Sequence, residues 1–187
     1  MGRYLTRGGD KLEFALREFE MDVSGKVAAD LGSHIGGFVD CLLEHGAARV
    51  HAVDTSYGTL AWRLRQDERV VVHERTNALH VVLPEKVDVV TIDVGWTKQR
   101  LILPRAMGLV GCGAVVSLLK PQYEAEPAEV ERGVLPAETA RRVAERVVQD
   151  LAASGIQVTR RAESPLAGGK GNHEFFLLIH VEPAVQT

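Results

Sequence analysis

The sequence predicts one α/β domain built on a doubly wound sheet of seven mostly parallel strands, with helices on both faces. Its 187 residues are enough for one full hydrophobic core and too few for two ordinary domains. A hydrophobic fraction of 45% and a charged fraction of 25% are typical of a soluble globular enzyme. Apolar runs of strand length alternate with segments of 3.6-residue periodicity, which is the pattern of a mainly parallel sheet.

Seven short apolar runs are predicted as strands, because each is rich in β-branched residues or is followed by turn residues. Along the chain they are Val27–Leu31, Val50–Val53, Val70–Val72, Val87–Ile92, Ala114–Leu119, Ile156–Thr159 and Phe175–Val181.

Three helices are predicted between and before these strands. The first lies in an N-terminal extension over residues 1–25 and carries Lys11 near its start. Its apolar stripe consists of Leu12, Ala15, Leu16 and Phe19. Gly37–Glu44 should form the helix after the first strand. Ala137–Ser154 has the clearest apolar stripe, and Gly155 is a typical stop signal.

One long stretch, Pro121–Leu135, is predicted to be irregular. It is rich in glutamate and contains a single arginine, Arg132. Loops of this length are often lids over active sites.

Composition and residue spacing exclude several classes of protein. No apolar run approaches the roughly 18 residues of a membrane span, and no apolar segment follows the basic N-terminal residues of a would-be signal peptide. We therefore expect a cytoplasmic protein without a membrane anchor. Cys41, Cys112 and the scattered histidines lack zinc-site spacing, so we expect no metal.

The charge distribution gives RNA little overall attraction, because the formal net charge is −3. Local basic groups near the two ends of the chain are the candidates for phosphate contacts. They are Arg3, Arg7, Lys11, Arg17, Arg160, Arg161 and Lys170.

A glycine-rich turn follows the first predicted strand. The strand ends in Asp30, and the chain turns through Gly32, Gly36 and Gly37 into a helix, which lets a ligand approach the backbone. The spacing differs from the Gly-x-Gly-x-x-Gly of nicotinamide-binding enzymes. Asp54 closes the second strand, where a carboxylate can accept both hydroxyls of an adenosine ribose. The alternative is that the glycines only turn the chain and that Asp54 caps a helix.

Carboxylates beside this turn suit S-adenosylmethionine, which has a sulfonium cation and an amino acid end. We assign Asp30 to its amino group and include Ser33, His34 and Phe38 in the cofactor site. Asn77, after the third strand, is a candidate partner for the adenine edge, with a helix cap as the alternative.

Four charged residues are candidates for catalysis. Asp93 and Lys120 end the fourth and fifth strands, Glu174 begins the last strand, and Lys11 lies on the first helix. A hydroxyl nucleophile needs a base, and lysine serves when burial or a neighbouring cation lowers its pKa. We expect Lys120 to be the base, Lys11 the neighbouring cation, and the carboxylates to hold both amines. Each alone would be an ordinary surface charge, but four at one edge favour a site.

Many ordered stretches of the chain match one known family. They are Tyr4–Leu12, Asp30–Ser33, Gly36–Leu43, Ala52–Asp54, Tyr57–Leu60, Leu64–Asp67, Glu74–Ala78, Val90–Val94, Lys120–Glu124 and Gly171–Phe175. On these stretches the chain resembles the hemolysin/TlyA-type branch of the FtsJ-like ribose 2′-O-methyltransferases, over nearly its whole length. The resemblance implies a Rossmann-like methyltransferase domain, S-adenosylmethionine as cofactor, and a Lys-Asp-Lys-Glu tetrad at Lys11, Asp93, Lys120 and Glu174. Asp93 then also borders the cofactor.

The chain also departs from that family. Its members usually carry an N-terminal RNA-binding domain of ribosomal-protein type, and we expect this chain to lack it. Gly95–Lys98 reads Gly-Trp-Thr-Lys where the family tends to have Ser-Phe-Ile-Ser, and His34-Ile35 replaces Ser-Thr. Glu131–Leu135 lacks one glycine of the family's lid. The acceptor side is therefore altered while the cofactor side is kept.

Three hypotheses follow. The first is 2′-O-methylation of RNA, with Trp96 or Tyr123 stacking a base; the alternative for Trp96 is a place in the core. The second is a small-molecule O- or N-methyltransferase, in which Trp96 and His34 close over a compact acceptor. The third is a non-catalytic S-adenosylmethionine-binding protein, against which the intact tetrad argues. The sequence predicts neither the acceptor nor an oligomeric state.

Overall fold

The structure, a computed structural model, describes residues 3–183. Seven strands, named β1 to β7, run through Val27–Leu31, Arg49–Val53, Val70–His73, Val87–Ile92, Val110–Leu119, Arg160–Glu163 and Phe175–Val181. Six α-helices, named α1 to α6, run through Arg7–Glu18, Gly37–Glu44, Trp62–Arg65, Gln99–Leu109, Pro121–Glu124 and Ala137–Ala153. Two short 3₁₀ helices lie at Pro127–Glu129 and Gly169–Gly171.

The strands form one sheet in the order β3-β2-β1-β4-β5-β7-β6. The pairs among β3, β2, β1, β4 and β5 are parallel. β7 pairs antiparallel with both β5 and β6. The chain winds outward in both directions from β1 and β4, so the carboxyl ends of five strands meet at one edge on either side of a switch point. This confirms the predicted fold class.

Helices cover both faces of the sheet. On one face α1 packs against α2, and their apolar residues join those of β1, β2 and β7, including Phe38 beneath Phe176. On the other face α4 and α6 pack on β4, β5 and β7. The stripe predicted for the first helix is buried, as is the stripe on α6. Apolar periodicity therefore located both helices correctly.

The sixth strand was predicted at Ile156–Thr159. This prediction is wrong, because the strand lies at Arg160–Glu163. Ile156 is a buried anchor of the turn after α6. The backbone joins β7 only from Thr159, whose N–H donates to the Leu178 carbonyl at 2.8 Å. An edge strand facing solvent tolerates charged residues, so apolar residues did not mark this one.

The stretch from Pro121 to Leu135 is more ordered than predicted. It contains α5, a 3₁₀ helix and an isolated β-bridge between Glu131 and Val134. Glu129 holds it against α6 through ion pairs with Arg142 and Arg146.

Two helices were not indicated by the sequence. They are α3 and α4, and α4 has Pro104 in its interior. Cys112 lies within β5. Both cysteines are free, with Cys41 buried and Cys112 exposed. Within residues 3–183, no helix is long and apolar enough to cross a membrane.

Candidate active site

The turn between β1 and α2 is built for close backbone approach. Gly32 has φ +93°, and a Cβ there would overlap the backbone carbonyl of Asp93 on the neighbouring strand end. Gly36 has φ +104°, and a Cβ there would overlap Leu64 of α3. Both positions need glycine, since other residues would meet strain and a clash together. The two glycines thus let the turn pack closely against the end of β4 and against α3.

Asp54 lies directly after β2 and is held by this turn. Its Oδ2 accepts a hydrogen bond from the His34 backbone N–H at 2.9 Å. Its Oδ1 accepts the backbone N–H and the hydroxyl of Ser56 at 2.8 and 2.6 Å. Burial alone would raise the pKa of Asp54, but these hydrogen bonds from Ser56 and His34 outweigh it and lower the pKa below its usual value. The carboxylate is therefore ionised at neutral pH and keeps lone pairs for a ligand.

A cavity of about 520 Å³, the large cavity, opens beside Asp54. Its wall includes Asn77, Asp93, Trp96 and Lys120. This volume is that of a site for a nucleoside-sized ligand. The Oδ1 of Asn77 accepts the Leu79 backbone N–H at 2.9 Å, so the residue caps a turn while it lines the cavity.

Asp30 lies at the bottom of the turn and is completely buried. Its Oδ1 accepts the Thr91 hydroxyl at 2.7 Å, whereas its Oδ2 has no hydrogen-bond partner. Burial raises the pKa of Asp30 to about 8; the Thr91 hydrogen bond opposes this shift, and the nearby Asp93 and Asp54 charges add to it. A buried oxygen without a partner is rare in folded proteins and is a place for a ligand donor.

Asp30 also lines a small cavity of about 70 Å³, together with Ser33, Gly37 and Phe38. This small cavity shares Gly32, His34 and Asp93 with the large cavity. The two spaces therefore adjoin, and a ligand that fills the large cavity can extend one end toward Asp30.

The four predicted catalytic residues form two ion pairs. Lys120 Nζ lies 2.5 Å from Asp93 Oδ1 and also donates to the Val94 carbonyl at 3.3 Å. Lys11 Nζ lies 2.6 Å from Glu174 Oε2, and only 3% of the Glu174 side chain is exposed. The amine that approaches Asp93 is thus Lys120, while Lys11 is matched with Glu174.

A third cavity, the adjacent cavity, lies between the two ion pairs. It has a volume of about 430 Å³ and is lined by both Lys120 and Glu174. Lys120 and Trp96 line the large cavity as well. Lys120 therefore lies at the junction of the large cavity and the adjacent cavity.

Trp96 lies on the surface and not in the core. Its side chain is 82% exposed, and its backbone has φ +57°, a left-handed conformation that tryptophan rarely adopts. Its ring centroid is 5.9 Å from that of Tyr123 across the mouth of the adjacent cavity. The alternative of a core position for Trp96 is therefore wrong.

Four of the five arginines predicted to contact RNA phosphates, all except Arg17, already have intramolecular partners. Arg3 pairs with Glu13 and Arg161 with Glu145. The remaining two are Arg7, which donates to the Ala167 carbonyl at 3.1 Å, and Arg160, which lies 5.7 Å from the Phe19 ring centroid.

Sequence reasoning missed several residues that shape the site. Thr91 is the only donor to Asp30 among the described residues. A Cβ at Gly168 would overlap the Glu174 carboxylate, so a larger residue there would displace this side chain. Asn172 is buried and binds the backbone of Gly133 and Leu135 through its side chain. The Gly171–Phe175 motif was a signal for Asn172, and the Val90–Val94 motif was a signal for Thr91; Gly168 had none.

The sheet order, the switch point and the acid-lined cavity define a Rossmann-like methyltransferase fold. No group of three or more His, Cys, Asp or Glu that could bind a metal occurs in the described part of the chain. The sequence profile of the FtsJ-like methyltransferases matches residues 4–180. The chain belongs to the FtsJ-like methyltransferase family.

Individual relatives agree with this assignment. YqxC of Bacillus subtilis is 43% identical over 95% of this chain and 66% of its own length. The 16S/23S rRNA (cytidine-2′-O)-methyltransferase TlyA of Mycobacterium tuberculosis is 39% identical over 96% of this chain and 69% of its own length. A solved structure, described as a hemolysin from Lactococcus lactis, superposes with a TM-score of 0.90 at 37% identity and covers 100% of this chain and 94% of its own. The chain thus spans about two thirds of the curated relatives it matches.

Proposed function

We propose that this protein is an S-adenosylmethionine-dependent methyltransferase that methylates a ribose 2′-hydroxyl in RNA, with ribosomal RNA as the substrate class. The observation that carries the proposal is the position of Lys120, which pairs with Asp93 and lines both cavities. A methyl donor in one cavity and a hydroxyl in the other would meet at this residue. The name of the TlyA relative supports RNA as the acceptor.

The residues of the large and small cavities fit the cofactor. Asp54 is ionised, so its carboxylate can accept hydrogen bonds from the two ribose hydroxyls. Asp30 offers a buried oxygen without a partner to the ammonium group at the amino acid end. Gly32, Ser33, His34, Gly36, Gly37 and Phe38 shape the space between these two acids. Asn77 would contact the adenine edge, using the amide nitrogen that its capping hydrogen bond leaves available.

Lys120 would take the hydroxyl proton during the transfer. S-adenosylmethionine, when bound, supplies a methyl group that passes from sulfur to the acceptor oxygen, with the S–C electron pair left on sulfur. Asp93 holds the Lys120 amine in place through their ion pair. Holding the hydroxyl oxygen in line with the methyl group supplies much of the rate.

The Lys11–Glu174 pair would orient the acceptor from the far side of the adjacent cavity. Glu174 lines this cavity, and as a carboxylate it can only accept hydrogen bonds. A ribose has a second hydroxyl next to the reacting one, and Glu174 is placed to accept from it. Lys11 holds the Glu174 carboxyl group in place through their contact of 2.6 Å.

The adjacent cavity fits one nucleotide and not a duplex. Its volume of about 430 Å³ is that of a pocket for a single small ligand, so a target base would leave its stack to enter. Trp96 and Tyr123 offer aromatic faces at its mouth, and base–aromatic stacking is worth about 1–3 kcal/mol per base. An RNA substrate also makes the cytoplasm the proposed location.

Two measurements on the purified protein test this function. The first is transfer of a labelled methyl group to ribosomal subunits, to protein-free ribosomal RNA and to a panel of small alcohols and amines. The second is RNA binding at several salt concentrations. We expect label in RNA, at ribose 2′-oxygens, and weaker RNA binding as the salt concentration rises. Label only in a small acceptor would overturn the proposal.

A further inference from the structure

A hydrogen-bonded link joins the two loops that follow β4 and β5. Glu124 Oε1 accepts the backbone N–H of Gln99 at 2.7 Å. Gln99 is the first residue of α4, and its N-cap Lys98 provides no side-chain cap. Glu124 therefore caps α4 from a distant part of the chain, where the helix N-terminus also favours a negative charge.

Gln99 makes a second hydrogen bond, to strand β5. Its side chain is buried, and its Oε1 accepts the Ser117 hydroxyl at 2.7 Å. Ser117 lies on β5 before Lys120, and Glu124 lies after it. Gln99 is therefore bonded to the chain on both sides of Lys120. We call the three residues Gln99, Ser117 and Glu124 the clamp.

The clamp borders the site without lining it. Lys120 and Trp96 line both cavities, whereas the three clamp residues are absent from the walls of the large and adjacent cavities. Burial raises the pKa of Glu124, which the Gln99 hydrogen bond and the charges of Lys98, Arg100 and Arg146 oppose. Glu124 is thus a partly buried acid held by one specific hydrogen bond, and it lines neither the large cavity nor the adjacent cavity.

We propose that Glu124 is a positioning residue, which fixes the loop carrying Asp93 and Trp96 relative to Lys120 through the clamp. This inference rests on the proposed function and adds a residue to it. The Asp93–Lys120 ion pair spans the same two loops, so a shift of either loop would change its geometry. A misplacement of about 1 Å at reacting groups can lower a rate by about 10²-fold.

The experiment compares Glu124→Ala with Glu124→Gln, which keeps an oxygen acceptor. Glu131→Ala is the matched control, because Glu131 is an exposed acid of the same segment whose contact is a backbone bridge. We expect Glu124→Ala to lower kcat by about 10- to 100-fold with an unchanged Kd for S-adenosylmethionine. Glu124→Gln should restore most of kcat, and Glu131→Ala should match the wild type.

A second readout does not depend on activity. In a Trp62→Phe background, Trp96 is the only tryptophan, since the chain has two. Its fluorescence anisotropy should fall in Glu124→Ala and stay unchanged in Glu131→Ala, because the released loop moves more freely. If the wild type transfers no methyl group to RNA, the proposed function fails, and this anisotropy alone decides on the clamp.

The inference is overturned if Glu124→Ala keeps kcat within about twofold and leaves the anisotropy unchanged. It is also overturned if Glu124→Gln is as impaired as Glu124→Ala, because a retained acceptor would then have no effect. If Glu124→Ala lowers kcat only to the extent that it lowers the melting temperature, Glu124 contributes to general stability and the inference is also overturned.

Discussion

Binding of S-adenosylmethionine should release a proton from Asp30. Burial raises the pKa of this carboxyl to about 8, so at pH 6.5 the free protein holds a proton there in about 97% of molecules. An ammonium group pairs with the ionised form, and that proton must leave. We therefore expect about one proton released per cofactor bound at pH 6.5, where the cofactor's own amine stays protonated.

The released proton can be counted by titration calorimetry in two buffers that differ in ionisation enthalpy. Asp30→Asn should abolish the release, whereas Asp22→Asn, on a surface turn, should leave it unchanged. The penalty for removing the proton at pH 7 is about 1.4 kcal/mol, or tenfold in Kd. Release of less than about 0.3 proton by the wild type would refute the reasoning, because Asp30 would then be ionised before binding or not paired with the amine.

The same raised pKa affects folding. The folded cofactor-free protein holds the Asp30 proton more tightly than the unfolded chain, whose pKa is the ordinary 3.8. Stability from this group is therefore fully present below about pH 4 and is lost as the pH rises toward about 8. The melting temperature should fall over this range more steeply in the wild type than in Asp30→Asn; equal slopes would contradict the shift.

Three further outcomes are expected. Burial lowers the pKa values of His51 and His73, whose rings share a hydrogen bond of 3.0 Å. The free energy of unfolding should therefore fall as the pH drops below the ordinary value of 6.5. Replacing both histidines by glutamine should make this fall smaller in a series of melting curves. Lys11→Met leaves the buried Glu174 carboxylate without its partner and should lower the free energy of unfolding in urea by about 3–5 kcal/mol. The double variant Lys11→Met with Glu174→Leu should recover stability but not methyl transfer. Recovery of both would exclude a catalytic role for this pair. Asp54→Ala should weaken cofactor binding by about 10- to 100-fold in calorimetry, since it removes the acceptor for two hydroxyls, and an unchanged Kd would place the ribose elsewhere.

Much of the fold follows from the sequence because β1, β4 and β7 are apolar runs buried on both faces. The edge strand Arg160–Glu163 could not be located from the sequence, since a solvent-facing strand needs no apolar run. Helix α4 was missed because Pro104 and its polar residues obscure the periodicity.

The candidate site was predictable as a set of residues but not as an arrangement. Strand ends and glycines pointed to Asp30, Asp54, Asp93 and Lys120, since carboxyl ends of parallel strands meet at one edge. The partner of Lys11 depends on side-chain geometry between α1 and β7, which are far apart in the chain. The sequence predicted four charges at one place, and the structure adds that they form two separate pairs.

The central claim is that Lys120 is the base at the junction of the large cavity and the adjacent cavity. Methyl transfer to ribosomal RNA by the Lys120→Ala variant tests this claim most directly. The methylated ribose is mapped by its resistance to alkaline cleavage. Lys26→Ala, at the opposite edge of the sheet, is the control. We expect the wild type and the control to methylate a ribose 2′-oxygen, and Lys120→Ala to lose about 10²-fold or more of the rate with an unchanged Kd for S-adenosylmethionine. A Lys120→Ala protein that methylates RNA at the wild-type rate would contradict this role.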